Sequence, residues 1–264
     1  MRLTKHDKVL KPVHPNAGIA VAYHAKLLAL IEEMVRSYAY FIKAQYRETP
    51  PRLAQDAVPA RELERELSLL GKRWQKRIDE AAPRLAEWFA KSTSRRSSAA
   101  LKRILKDGGI SVEFTMTPTM RDAYQATLAE QVGLIKSIGS QYHTEVQGLV
   151  MRSVSTGRDL GQLSKDLQER YGITKRRAAF ISLDQNNKAN AVFTRVRQQE
   201  AGIEKAIWLH SHAGKRPRPS HVANSGKPYS IATGWFDPEV KQFIRPGELP
   251  RCRCTSKSIV KGFS

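Results

Sequence analysis

Apolar residues recur every three or four positions along most of the chain up to Gly202, the period of a helix with one buried face. The first stripe is Ile19, Tyr23, Leu27, Leu30, Met34, Tyr38 and Phe41. Asn16 is placed to cap it, and Thr49-Pro50-Pro51 should end it, because proline removes a donor and biases the preceding residue away from helix. A second stripe, Leu63, Leu67, Leu70, Trp74 and Ile78, starts near Pro59, and Pro83 is expected to kink or end that helix. The two stripes are expected to pack on each other as ordinary helical core. Residues 92–98, Ser-Thr-Ser-Arg-Arg-Ser-Ser, read as a polar basic linker or exposed turn.

Gly108-Gly109 marks a further break, and Val112 to Met116 alternates like a short strand before Pro118. Thr119 to Ser155 returns to helical spacing with Leu134, Ile138, Tyr142, Val146, Leu149 and Val150, and Thr156-Gly157 closes it. Asp159 opens another helix bearing Leu160, Leu163 and Leu167, with Gly172 as its expected C-cap. Thr174 is expected to cap the next, which runs through Ala178, Ile181, Ala189, Val192 and Val196 to Gly202. Asp184, Gln185, Asn186, Asn187 and Asn190 sit in the middle of that helix. They are mediocre helix formers, so they should be spent on specific hydrogen bonds. Beyond Gly202 the texture changes to a short strand at Ala206–Leu209 and Gly- and Pro-rich extended pieces. The expected fold is therefore mainly α with a small α+β C-terminal module: a long helical region over 1–156, then a terminal domain over 157–264.

Charge sharpens this picture. The 264 residues carry 45 Lys and Arg against 25 Asp and Glu, a formal +20, which repels itself unless something anionic lies nearby. Residues 72–106 hold eleven basic residues against three acidic ones, and residues 205–264 hold the same numbers, so two contact surfaces are expected. Arg95, Arg96, Lys102 and Arg103 are the candidate phosphate contacts. Nothing resembles a helix-turn-helix or other base-reading element, so DNA would be met as a polyanion, without sequence preference. An acidic protein surface is the alternative partner. No apolar run is long enough for a membrane span, and residues 1–15 do not read as a secretory signal. The two cysteines, Cys252 and Cys254, are too close in sequence for easy disulfide geometry, so an intracellular, reduced product is expected.

From about Asp159 to Ser258 the chain resembles the phage Mu F-like family of minor head proteins, which includes the SPP1-type head morphogenesis proteins. The resemblance rests on pieces in order. Gly172-Ile-Thr-Lys-Arg-Arg-Ala-Ala leads into Asp184-Gln185-Asn186-Asn187-Lys188, followed by Arg195 to Gly202 and a strand with Trp208. His210-Ser-His-Ala-Gly-Lys-Arg-Pro-Arg218-Pro-Ser-His221 comes next, then Gly226-Lys227, Pro246-Gly247-Glu248 and Arg251-Cys252-Arg253-Cys254. Two departures occur: an Asn expected just before the first cysteine is Arg251, and the loop after Trp208 is the His-rich, Gly-Lys version. The resemblance implies a virion component made in the host cytoplasm and bound inside the head near the portal. Its implied partners are the portal protein, other head-interior proteins and packaged double-stranded DNA.

Three chemistries compete for the terminal residues. Two Cys with one or two His could hold zinc, but Cys-x-Cys is tighter than the usual knuckle, and no metal or other cofactor is expected; were one bound, His210, His221, Cys252 and Cys254 would be its ligands. A metal-assisted nuclease could use His221 as general base with Arg218, Asp237 and Asn224, yet no phosphate loop or paired carboxylates accompany them. The preferred reading is structural rather than enzymatic. Asp184, Asn187, Trp208, His210, Arg218, His221, Cys252, Arg253 and Cys254 would form a hydrogen-bonded network pinning a loop-rich module. In it Arg218 and Arg253 would tie loops to backbone carbonyls, and the cysteines would be small core residues on the buried face of a strand.

Overall fold

A computed structural model describes all residues except 1–6, 49–56, 158, 213, 215 and 262–264. The architecture is mainly α with a small C-terminal α+β module. Four long helices, α1 (Ala17–Glu48), α2 (Ala57–Asp107), α3 (Pro118–Ser155) and α4 (Leu160–Glu200), lead into short strands and one short helix, α5 (Pro219–Ala223). Strands β1 (Lys8–Val9), β6 (Thr255–Val260), β2 (Lys205–Leu209) and β3 (Pro228–Ser230) form one antiparallel sheet in that order, and β4 (Trp235–Asp237) pairs with β5 (Gln242–Ile244).

Several helix starts are where the sequence puts them. The Asn16 side chain accepts the Ile19 N–H at 3.1 Å, and Asp159 accepts the Gln162 N–H at 2.9 Å. Thr117 caps α3 by accepting the Met120 N–H, with Pro118 at the first helical position. The Thr49-Pro50-Pro51 break lies outside the described residues.

Three expectations are corrected. Pro83 lies inside α2 and does not end it, and the helix runs through 92–98 without the expected linker. Thr93, Ser94 and Ser97 are buried there, and Ser97 Oγ donates to the Ser94 carbonyl, so a hydroxyl that suggests a turn is satisfied by its own helix. α4 likewise passes through Gly172 and Thr174, whose hydroxyl donates to the Arg170 carbonyl four residues back instead of capping a new helix. Val112 to Met116 forms no strand, and Val112 and Phe114 pack against the sheet's core instead. The two-residue strand β1 carries no periodic signal and has no counterpart in the sequence pattern.

The chain divides into two compact units, each discontinuous in sequence. The first comprises Val21–Glu87 and Ala129–Ser182 and is a helical bundle. Tyr23, Leu27, Ile31, Met34, Tyr38 and Ile42 from α1 are buried, as are Leu63, Leu67, Leu70, Trp74 and Ile78 from α2. Ile138, Tyr142 and Val146 from α3 join them. Phenols inside this apolar interior need partners: Tyr23 donates to Gln131, and Tyr38 lies 2.8 Å from His143 Nδ1. Burial pushes the Tyr23, Tyr38 and Tyr142 hydroxyls above the ordinary tyrosine range, so all three stay protonated.

The second unit comprises residues up to Ala20, Trp88–Leu128 and Leu183 onward. Its core gathers Trp208, Tyr229, Ile231, Ile244, Cys252 and Cys254 from the module with Leu10, Val13, Leu101 and Leu105 from before residue 157. The terminal module thus takes part of its core from the preceding region.

Candidate functional site

The C-terminal half of α4 anchors the module. From Asp184 to Asn190 the helix presents buried polar side chains where an amphipathic helix would present Leu or Val. Three of them reach backbone groups of segments far away in the sequence. Asp184 Oδ1 accepts the Arg251 N–H at 2.5 Å, Asn186 donates to the Asn16 carbonyl at 3.1 Å, and Asn190 reaches the Val13 carbonyl at 3.5 Å. Asn187 is also buried, and its carbonyl lies 3.5 Å from where a Cβ on Gly247 would stand. Gly247 has φ +81°, and that added Cβ would meet Ala191 Cβ at 2.7 Å. The Pro246-Gly247-Glu248 turn therefore requires glycine both for its left-handed backbone and for its approach to α4. Further along the helix Gln198 donates to Ser258 on β6, and Arg197 donates to Ser98, to the Thr115 carbonyl and to Glu200.

Arg251, where an asparagine was expected, has φ +62°. Asparagine tolerates that region better than other residues with a Cβ. The expected residue and the backbone agree, and here the arginine is held in place through its N–H by buried Asp184. Beyond it the chain alternates: Arg251 and Arg253 face out, Cys252 and Cys254 face in, ahead of β6. Arg218 donates to the Pro250 carbonyl at 3.0 Å, joining the start of α5 to this segment.

His210, His221, Cys252 and Cys254 converge, all buried. His210 follows β2, His221 lies on α5, and the cysteines precede β6. Cys252 Sγ is 3.5 Å from His221 Nδ1, and Cys254 Sγ is 3.6 Å from both His221 Nδ1 and His210 Nδ1. Trp208 covers the cluster, its ring edge-on to His221 with centroids 5.1 Å apart. On the far side of His221, Nε2 stands 3.4 Å from Asp237 Oδ2, and Asp237 is fully buried. That carboxylate also accepts Ser220 Oγ at 3.2 Å and the Glu239 N–H at 3.0 Å. The Cys254 thiol beside it, with His221 behind, holds Cys252 toward the thiolate despite burial, and the same contact and burial push Cys254 up. Burial first, then the neighbouring His212 and His221, lowers the His210 pKa and favours its neutral imidazole. The sequence points to every cysteine and histidine of the cluster, and to Asp237 only as a catalytic candidate.

The other expected site lies on α2. Arg95, Arg96 and Arg103 are exposed, while Lys102 pairs with Glu113. Arg95 and Arg96 line an open groove of about 650 Å³ with Trp88, Lys91, Ser92 and Asn16. Among the described residues, Lys91, Arg95 and Arg96 make no ion pair. Trp88 and Lys91 were not singled out from sequence, although Trp88, Lys91, Arg95 and Ala99 follow helical spacing and share one face.

Fold and site define a class: a helix-dominated protein whose α+β module is pinned by buried Asx, His and Cys side chains and which carries a basic face. Residues 144–257 match the family described as Phage Mu protein F like protein, which supports the Mu F-like resemblance and a phage head-related protein. An uncharacterized protein of Haemophilus influenzae (strain ATCC 51907 / DSM 11121 / KW20 / Rd) is 32% identical over 185 residues, 68% of this chain and 39% of that protein. The matched stretch thus spans well under half the length of that relative. No solved structure matches the chain.

Proposed function

We propose that this chain is a phage minor head protein that acts structurally in head assembly, inside the head near the portal, in the manner of SPP1-type morphogenesis proteins. The match over residues 144–257 carries the reading. In it the motifs from 157 onward build the shared module, and the helical region over 1–156 meets the portal and other head proteins. Packaged double-stranded DNA is touched through the α2 face, where Lys91, Arg95 and Arg96 line an open groove beside Trp88. Such contacts neutralise phosphates without reading bases. No described helix is long and apolar enough to cross a membrane.

The nuclease alternative draws no support from the geometry. His221 and Asp237 are 2% and 0% exposed. A general base must come within hydrogen-bond reach of its substrate, and the burial of both groups favours the structural reading over a nuclease. The test is co-purification with the portal protein from infected-cell lysates and recovery in mature particles at far lower copy number than the major shell protein. Absence from both, together with nucleic-acid cleavage abolished by His221→Ala, would overturn the proposal.

A further inference from the structure

We infer that His210, His221, Cys252 and Cys254 form a structural zinc site that closes the C-terminal module. Zinc binds thiolate sulfur at about 2.3 Å and imidazole nitrogen at about 2.0–2.1 Å in a tetrahedron, which makes each sulfur-to-nitrogen edge about 3.6 Å. Three of the four such edges of a two-Cys, two-His set measure 3.5, 3.6 and 3.6 Å here, between Cys252 and His221, Cys254 and His210, and Cys254 and His221. The donor atoms of His221, Cys252 and Cys254 all lie within 4.8 Å of one another; His210 stands outside that close set, with its Nδ1 3.6 Å from Cys254 Sγ, and would move inward to become the fourth ligand.

Ligand chemistry agrees with the distances. Both histidines turn the same nitrogen, Nδ1, toward sulfur. Asp237 lies on the opposite, Nε2 side of His221, where a carboxylate favours the tautomer protonated at Nε2 and leaves the Nδ1 lone pair for a metal. Asp237 is itself fixed by Ser220 and the Glu239 N–H, so the carboxylate that orients the ring is oriented in turn. Thiols are weak hydrogen-bond donors, and without a metal two buried imidazoles would depend on them. A bound zinc satisfies all four donors at once.

The fold gives the ion work to do. The four ligands come from three segments, after β2, on α5 and before β6, and the strands they join are three to six residues long. Cross-linking such pieces is how zinc contributes to the folding of small modules. The Cys-x-Cys spacing, tighter than the common knuckle, fits because the intervening Arg253 points outward and both sulfurs face the same side. This departs from the expectation of a metal-free network, which spacing alone suggested.

The test uses the full chain, purified without chelators, with elemental analysis and replacement of zinc by cobalt(II). One zinc per chain is expected, and the cobalt form should show sulfur-to-cobalt charge-transfer absorption and the visible bands of a tetrahedral ion. Cys252→Ser and Cys254→Ser should lose both the metal and the charge-transfer signature. Asp237→Asn should keep the stoichiometry and weaken zinc binding about 10- to 100-fold in a competition titration with a chromophoric chelator. Because the cysteine variants can fail to fold, chelator treatment of the wild-type chain is the second measurement, and it should lower the midpoint of thermal unfolding reversibly. A folded wild-type chain that takes up neither zinc nor cobalt would overturn the inference, as would metal uptake that persists in the double cysteine variant.

Discussion

Asp184→Ala should destabilise the second unit out of proportion to the removal of one small side chain. Asp184 is 5% exposed and accepts the Arg251 N–H at 2.5 Å, with Lys188 Nζ 3.3 Å from its other oxygen. A hydrogen bond to a charged acceptor contributes about 1.5–3 kcal/mol, and a donor left without a partner adds a cost of similar size when water cannot reach it. The same bond holds Arg251 at φ +62°, a conformation that costs an ordinary residue about 1–2 kcal/mol. Since the N–H is only part-buried, some of the loss is recovered by hydration, and the net expectation is about 2–4 kcal/mol. At about 2–4 °C per kcal/mol for a chain of this size, the unfolding midpoint should drop by roughly 5–15 °C. Asp184→Asn keeps an acceptor and should cost less. In an Arg251→Gly background, where the turn is no longer strained, the cost of Asp184→Ala should shrink by about 1 kcal/mol, an interaction energy typical of neighbours in one network. Urea denaturation of wild type, both single variants and the double variant measures this cycle. An Asp184→Ala chain within about 0.5 kcal/mol of wild type, the range of an ordinary surface change, would refute the assignment of α4 as the module's anchor.

Replacing Arg95, Arg96, Lys102 and Arg103 with Gln should flatten the salt dependence of DNA binding, by roughly one in the log–log slope for each phosphate no longer neutralised. Lys102 should contribute least because it pairs with Glu113, and fluorescence anisotropy against added salt reads the effect; undetectable binding at low ionic strength would redirect the face to a protein partner. Gly71→Ala should destabilise the bundle by about 1–2 kcal/mol, because the new Cβ would stand 2.3–2.6 Å from the His143 ring and overpacking outweighs the helix-propensity gain. Gly133→Ala, with nothing within 4 Å, should instead stabilise by up to about 1 kcal/mol, and thermal melts separate the two. Burial lowers the His143 pKa, so the unfolded chain binds that proton more readily. Its contribution is therefore present above the ordinary histidine pKa of about 6.5 and is lost as pH falls toward the folded value. Urea midpoints at neutral and mildly acidic pH should converge for His143→Gln relative to wild type.

The stripes that built α1 and α2 were legible because burial follows helical period: Tyr23, Leu27, Met34 and Tyr38, then Leu63, Leu67, Leu70, Trp74 and Ile78, are all buried. The stops were less legible. Ser92–Ser98 and Gly172-Ile-Thr read as breaks by composition, but local hydroxyl-to-carbonyl bonds and tertiary packing carry both helices through. The Asx run on α4 announced itself as misplaced polarity, and its partners could be found only once distant chain segments were brought together. The Cys and His residues were legible as a set, whereas their convergence and the Asp237 behind His221 depend on three-dimensional placement. Trp88 and Lys91 were hidden because a basic helical face is ordinary, and only the groove picks them out.

A structural role at the portal is tested most sharply by an asymmetric reconstruction of the phage head around its portal vertex, with the protein's presence in the same particles checked by mass spectrometry. A few copies are expected at the inner, portal-proximal surface. In that density the helical region should contact the portal, and the α2 face bearing Lys91, Arg95 and Arg96 should turn toward packaged DNA. Particles that are complete and infectious yet contain no copy of this chain would contradict that role.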